Sequence, residues 1–170
     1  MSADWQLAKT KARALRAQYG VEEPPVNLFD IANNEGIEIL YFVPDDVTTD
    51  ISGLLSKEEK KVFLNAHESA ARQNFTLAHE LAHYFLDHKP NEYGVYRRDS
   101  LYAESKPEKE QEADCFAAEL LMPEELINKV KTKYELTDDD AQALSRLFGV
   151  SPSAMRYRLK GLKLDRSESK

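Results

Sequence analysis

A chain of 170 residues with a single cysteine, Cys115, can form no intrachain disulfide, which suits a reducing compartment. Long apolar runs are missing too. The longest, Ile39 to Val43, has five residues, against the roughly 20 that a membrane-spanning helix needs. Charges from Asp4 through Arg16 interrupt any signal-peptide core, so a soluble, cytoplasmic protein is expected. There is no internal repeat and no low-complexity tract. Positive charge is in deficit, with 23 Lys and Arg against 30 Asp and Glu, a net of -7. That argues against a general nucleic-acid binder, whose affinity comes mainly from cations displacing counterions. Residues 146 to 170 reverse the sign locally, with seven basic residues against two acids, which leaves -12 on the first 145.

What is present is ordinary globular material. Hydrophobic residues make up 42% and charged residues 31%, which excludes a disordered or collagenous chain, and the length suits one domain. We expect a single α+β domain over 1–170. Residues 1–66 would hold N-terminal helices and a small sheet, 67–123 the helices of a functional site, and 124–165 a helical C-terminal part.

Ala8, Ala12, Leu15 and Tyr19 recur at helical spacing before Gly20, which predicts a helix over 4–19. Asn27 can cap a short helix that Gly36 ends. Ile37–Phe42, Ile51–Ser56 and Lys61–Ala66 read as strands, the last two as a hairpin about Lys57-Glu58-Glu59-Lys60, giving three mostly antiparallel strands. Residues 69–87 lack Gly and Pro and carry a wide apolar face, the pattern of a central helix. Residues 89–106 read as the longest loop. Ser105 with Glu108 has the form of a capping box around Pro107, opening a helix that runs to Met122. Further helices are expected near 124–133, 138–148 and 152–160.

Within the central helix, His79-Glu80-Leu81-Ala82-His83 is an HExxH arrangement. Four residues advance a helix by about 6 Å and turn it about 40° beyond a full revolution, so both imidazoles can reach one metal ion. Glu80 then lies beside the metal, placed to take a proton from water whose pKa zinc lowers to about 7. With 4 His and 18 Glu in the chain, chance gives this pattern in roughly one shuffled sequence in a hundred. A catalytic zinc also needs a third protein ligand and an open fourth position. The extended histidine motif would require Gly and His where Leu86 and Lys89 stand, so that class is excluded. His88 falls about 140° around the helix from His83 and reads as an ordinary C-terminal histidine. The remaining candidates are acids on the next helix. Glu110 and Asp114 share a face, so Glu110 can bind the metal while Asp114 accepts the outer N–H of a ligand histidine. Glu112 points about 200° away from Glu110, and Glu108 reads as a solvated acid that complements the helix dipole.

The segments Arg72-Gln73-Asn74-Phe75-Thr76-Leu77-Ala78-His79-Glu80-Leu81-Ala82-His83, Glu110-Gln111-Glu112-Ala113-Asp114 and Phe116-Ala117-Ala118-Glu119-Leu120-Leu121-Met122-Pro123 together resemble the ImmA/IrrE family of bacterial and phage metallopeptidases. The likeness extends loosely over about residues 26 to 160. It implies a cytoplasmic zinc endopeptidase, one Zn2+ per chain, that cleaves a helix-turn-helix repressor of a mobile element or stress response. His79, His83 and Glu110 would be the zinc ligands, Glu80 the general base and Asp114 the outer partner. Counting from the Leu-Met-Pro end favours Glu110 as third ligand, whereas proximity to the Ala-Asp pair would suggest Glu112. The family usually has Gly where this chain has Ala82, and Ala suits a helix better.

The mechanism expected is metal-activated water, with Glu80 passing its proton to the leaving amine and a further donor holding the oxyanion. Tyr93, Tyr96, Tyr102, Arg97 and His88 are the candidate donors. The C-terminal segment Leu144 to Met155 reads as helix, glycine turn, serine cap and helix, the spacing of a helix-turn-helix. Arg146, Arg156 and Arg158 there are possible partner or DNA contacts, set against a packed helical corner with a solvated basic edge. The alternative to a peptidase is a DNA-binding or repressor-binding regulator with a structural or vestigial metal site. The presence of Glu80 argues against it, because a structural zinc needs four ligands and no base.

Overall fold

The structure, a computed structural model, describes residues 2–89, 95–97 and 107–168, with the side chains of 2–89 and 107–164. Asp4 caps the first helix by accepting the Leu7 N–H at 2.8 Å, and α1 (Trp5–Gln18) buries Ala8, Ala12 and Leu15 at the expected spacing. Asn27 caps α2 (Leu28–Asn34) in the same way, accepting from the Asp30 N–H at 3.3 Å. Gly36 then turns the chain into the sheet with φ +71°, a conformation that glycine adopts without a steric penalty.

The three expected strands are β1 (Glu38–Phe42), β2 (Gly53–Ser56) and β3 (Lys61–Asn65). β2 and β3 form the hairpin, Ser56 opposite Lys61, and β1 adds to the far side of β3 in parallel, Ile39 opposite Val62. A fourth strand, β4 (Val95–Arg97), pairs antiparallel with β2, giving the order β1-β3-β2-β4 with two of three pairings antiparallel. β4 falls inside the stretch read from sequence as loop. Three residues are too few to show the alternation by which a strand is recognised.

Ser69 accepts the Arg72 N–H at the start of α3 (Ala70–Phe85), which lies across β2 and β3. Its Leu77, Ala78, Leu81 and Ala82 are buried against the sheet on one side and α4 (Glu108–Leu121) on the other, where Ala113, Phe116, Ala117 and Leu120 meet them. Each such leucine contributes about 1.5–3 kcal/mol by its burial. Ala82 sits fully buried in this layer, so the methyl is accommodated. α1 covers the outer side of α4. The expected capping box rests on Ser105; α4 begins at Glu108, with the Pro107 carbonyl accepting the Glu110 and Gln111 N–H groups at 3.0 and 3.1 Å. Ser105 lies outside the described residues.

The C-terminal part comprises α5 (Glu124–Tyr134), a 3-10 turn (Asp138–Asp140), α6 (Ala141–Phe148) and α7 (Pro152–Glu168). Gly149, at φ +66°, makes the turn between α6 and α7, and Asn74 Nδ2 donates to its carbonyl at 2.9 Å, tying that turn to the start of α3. One hydrophobic core runs from Ala8 to Leu162. Among the described residues no helix is long and apolar enough to cross a membrane.

Candidate metal centre

α3 presents His79, Glu80 and His83 to the interior, where His79 is 1% exposed and the other two are fully buried. The first turn of α4 faces them. His79 Nε2 stands 3.0 Å from Glu110 Oε2 and 3.1 Å from His83 Nε2, and His83 Nε2 stands 3.3 Å from Glu110 Oε1. These three residues form a group whose ligand atoms all lie within 4.8 Å of one another. A tetrahedral zinc with bonds of about 2.05 Å requires ligand separations of about 3.3 Å, so the triangle has the right size.

The hydrogen bonds decide what converges there. His79 Nδ1 lies 2.9 Å from Asp114 Oδ1, so its proton belongs on Nδ1 and the Nε2 lone pair faces the triangle. A carboxylate and an imidazole lone pair meeting in a buried place form a set of acceptors that suits a cation. Burial holds the His83 imidazole down to about 4, ahead of the opposing pull of Glu110. His83 is therefore neutral, and able to ligate, at neutral pH. Burial alone would raise the Glu110 carboxyl, but the adjacent imidazoles of His79 and His83 overcome it and hold Glu110 well below the usual carboxylate range.

Glu110, not Glu112, completes the triangle. Glu112 points elsewhere, accepting the Asp4 N–H at 2.7 Å through Oε1 and bonding His88 Nε2 at 2.8 Å through Oε2. Glu108 is exposed, as its solvated reading requires. Asp114 stands where the spacing placed it.

His88 departs from expectation. The 140° offset assumed a continuing helix, but α3 ends at Phe85 and Asp87 takes φ +53°, so the chain turns back and brings His88 Nδ1 to 2.9 Å from His83 Nδ1. Lys57 fixes this reversal by donating to Asp87 Oδ1 and to the His88 carbonyl, each at 2.9 Å. His88 is 6% exposed with both ring nitrogens engaged, so it is not an oxyanion donor. Its pKa is lowered, chiefly by burial. No glycine marks the turn at Asp87, which is why the sequence did not show it. Of the other candidate donors, Tyr93 and Tyr102 lie outside the described residues, and of Tyr96 and Arg97 only the backbone in β4 is described.

The C-terminal arginines divide. Arg146 and Arg156 are exposed, whereas Arg158 turns inward: it donates to Glu119 Oε2 at 2.6 Å and to the Met122 carbonyl at 2.9 Å. Glu119, 2% exposed, also accepts from Arg13 at 2.9 Å, so Arg158 joins α7 to α4 and α1 and is not a partner contact.

Another constraint sits over Glu80. A Cβ on Gly53 would lie 2.5 Å from Thr76 Cγ2 and 3.4 Å from Glu80 Oε1, so only glycine lets β2 approach α3 at the level of Glu80.

A family model described as the IrrE N-terminal-like domain, Peptidase M78, matches residues 32–160. The chain is 30% identical over 158 residues to the radiation response metalloprotease IrrE of Deinococcus deserti, covering 89% of this chain and 53% of that protein. It is 29% identical to the metallopeptidase ImmA of Bacillus subtilis over 61% of this chain and 58% of the relative. Immunity region protein 2 of Bacillus phage phi105 is 27% identical, over 83% of this chain and 84% of its own length. The chain thus spans about half the length of the first two relatives. In fold it is similar to a transcriptional regulator of Mycobacterium tuberculosis, with a TM-score of 0.62 at 15% identity, over 91% of this chain and 46% of that one. The match over residues 32–160, with the HExxH helix and its facing acids inside it, places this chain in the IrrE N-terminal-like family of metallopeptidases.

Proposed function

We propose that the chain is a zinc endopeptidase whose substrate is a helix-turn-helix repressor. The observation that carries the reading is the convergence of His79 Nε2, His83 Nε2 and Glu110 beside the buried Glu80, which is not part of the triangle. Three protein donors plus an adjacent carboxylate match a catalytic site with one open position, and a structural site would use four donors. His79, His83 and Glu110 would hold the ion, which when bound supplies a Lewis acid for the scissile carbonyl and for water. Asp114 keeps His79 in the tautomer with a free Nε2 lone pair. Glu80 takes the proton of the attacking water and hands it to the leaving amine, the role that a buried carboxylate next to a metal ligand can serve.

The relatives support the peptidase class, two of them being named metalloprotease or metallopeptidase, and a repressor as substrate is what the resemblance to the ImmA/IrrE family implies. The inward Arg158 weakens the rival reading of a DNA-binding regulator, because it removes one of three basic contacts. Co-expression with a helix-turn-helix repressor is the test. Wild type should deplete intact repressor and Glu80→Gln should not. Equal survival of repressor with both would reject the peptidase reading.

A further inference from the structure

We propose that His88 and Glu112 are positioning residues that fix His83 as a metal ligand, through a hydrogen-bond relay anchored on Asp4, the N-cap of α1. The proposal rests on the metal-site reading above and assigns roles to residues outside the triangle. The direction of the relay follows by elimination. The Asp4 backbone N–H can only donate, so Glu112 Oε1 accepts from it at 2.7 Å. Glu112 Oε2 likewise accepts from His88 Nε2 at 2.8 Å, which places the single proton of the neutral His88 ring on Nε2. His88 Nδ1 is then a lone pair and accepts from His83 Nδ1 at 2.9 Å. With its proton on Nδ1, His83 turns a bare Nε2 toward His79 and Glu110.

The two ligand histidines are thus oriented by different means. Asp114 acts on His79 directly, while Glu112 acts on His83 through an intervening imidazole. Such outer partners fix the tautomer and ring orientation of a ligand and raise its basicity. The far anchor, Asp4, precedes the segment that matches the family model.

The arrangement makes Glu112→Gln informative, since it keeps shape and changes only the donor pattern. The Asp4 N–H still demands an acceptor, so the amide oxygen takes that place and the NH2 faces His88 Nε2. His88 must then carry its proton on Nδ1 and donate to His83, which moves the His83 proton to Nε2, the atom needed for metal. Nitrogen-15 NMR of the zinc-free protein reads this directly. The expected result is His83 protonated on Nδ1 in wild type and on Nε2 in Glu112→Gln. Zinc affinity by chelator competition should fall at least tenfold in Glu112→Gln and in His88→Leu, with both variants folded by circular dichroism. A wild-type His83 protonated on Nε2, or unchanged tautomer and affinity in Glu112→Gln, would overturn the relay. Failure of wild type to bind zinc would reject the metal-site reading instead, and the tautomers of the zinc-free protein would still decide the relay.

Discussion

His79 and Asp114 face one another across the α3–α4 interface with 2.9 Å between Nδ1 and Oδ1. That contact selects which nitrogen of His79 is bare, and the bare nitrogen is the one directed at Glu110 and His83. Asp114→Ala should therefore weaken zinc binding by about 10- to 100-fold, because the ring loses its orienting partner. Competition against a chromophoric chelator measures it; an affinity within twofold of wild type would remove Asp114 from the site.

Glu80→Gln should separate binding from chemistry. Zinc content should stay at the wild-type ratio while cleavage falls by about 10²- to 10⁴-fold, the usual contribution of a positioned base. Metal analysis and quantified cleavage of purified repressor give the two numbers. Loss of zinc from the variant would show that Glu80 is a ligand.

Acid should destabilise the metal-free protein through His83. Its folded pKa, about 4, is below its ordinary 6.5 because burial disfavours the charged ring. Between these values the unfolded chain binds more protons than the folded one, so stability is full above about 6.5 and is lost as pH falls toward 4. Glu110, held below the usual carboxylate range, extends the loss in the same direction at lower pH. Urea unfolding at a series of pH values tests the sign, and His83→Phe should flatten the upper part of the profile.

Arg158→Ala should cost about 2–4 kcal/mol, since it leaves the buried Glu119 with Arg13 as its remaining side-chain partner and frees the Met122 carbonyl. Arg146→Ala and Arg156→Ala, on exposed positions, should stay within about 0.5 kcal/mol. Denaturant midpoints distinguish them, and equal midpoints for all three would contradict the inward placement of Arg158.

Gly53→Ala should destabilise by about 1–3 kcal/mol, the range for overpacking, because its Cβ would meet Thr76 Cγ2 at 2.5 Å. The same methyl crowds Glu80 Oε1, so cleavage should fall further than the lost stability explains. Thermal melts alongside cleavage assays check both, and full activity at a lowered midpoint would confine Gly53 to packing.

The sequence by itself determined the features that one helix or one turn can encode. Two histidines four apart on α3 must share a face, Asn27 caps the short helix that follows it, and Gly149 turns α6 into α7. Asp114 was legible for the same reason, being one helical turn from Glu110. What crosses between elements was decided only by tertiary structure. The rotation of α4 against α3 chose Glu110 over Glu112, a left-handed aspartate without any glycine signal folded His88 onto His83, and β2 supplied the partner that makes Val95–Arg97 a strand. Arg158 looked like surface charge because nothing local to α7 shows Glu119 on α4. Local periodicity fixes which side chains share an element's face; the partner each face meets depends on how the shared core packs, and that is a property of the whole chain.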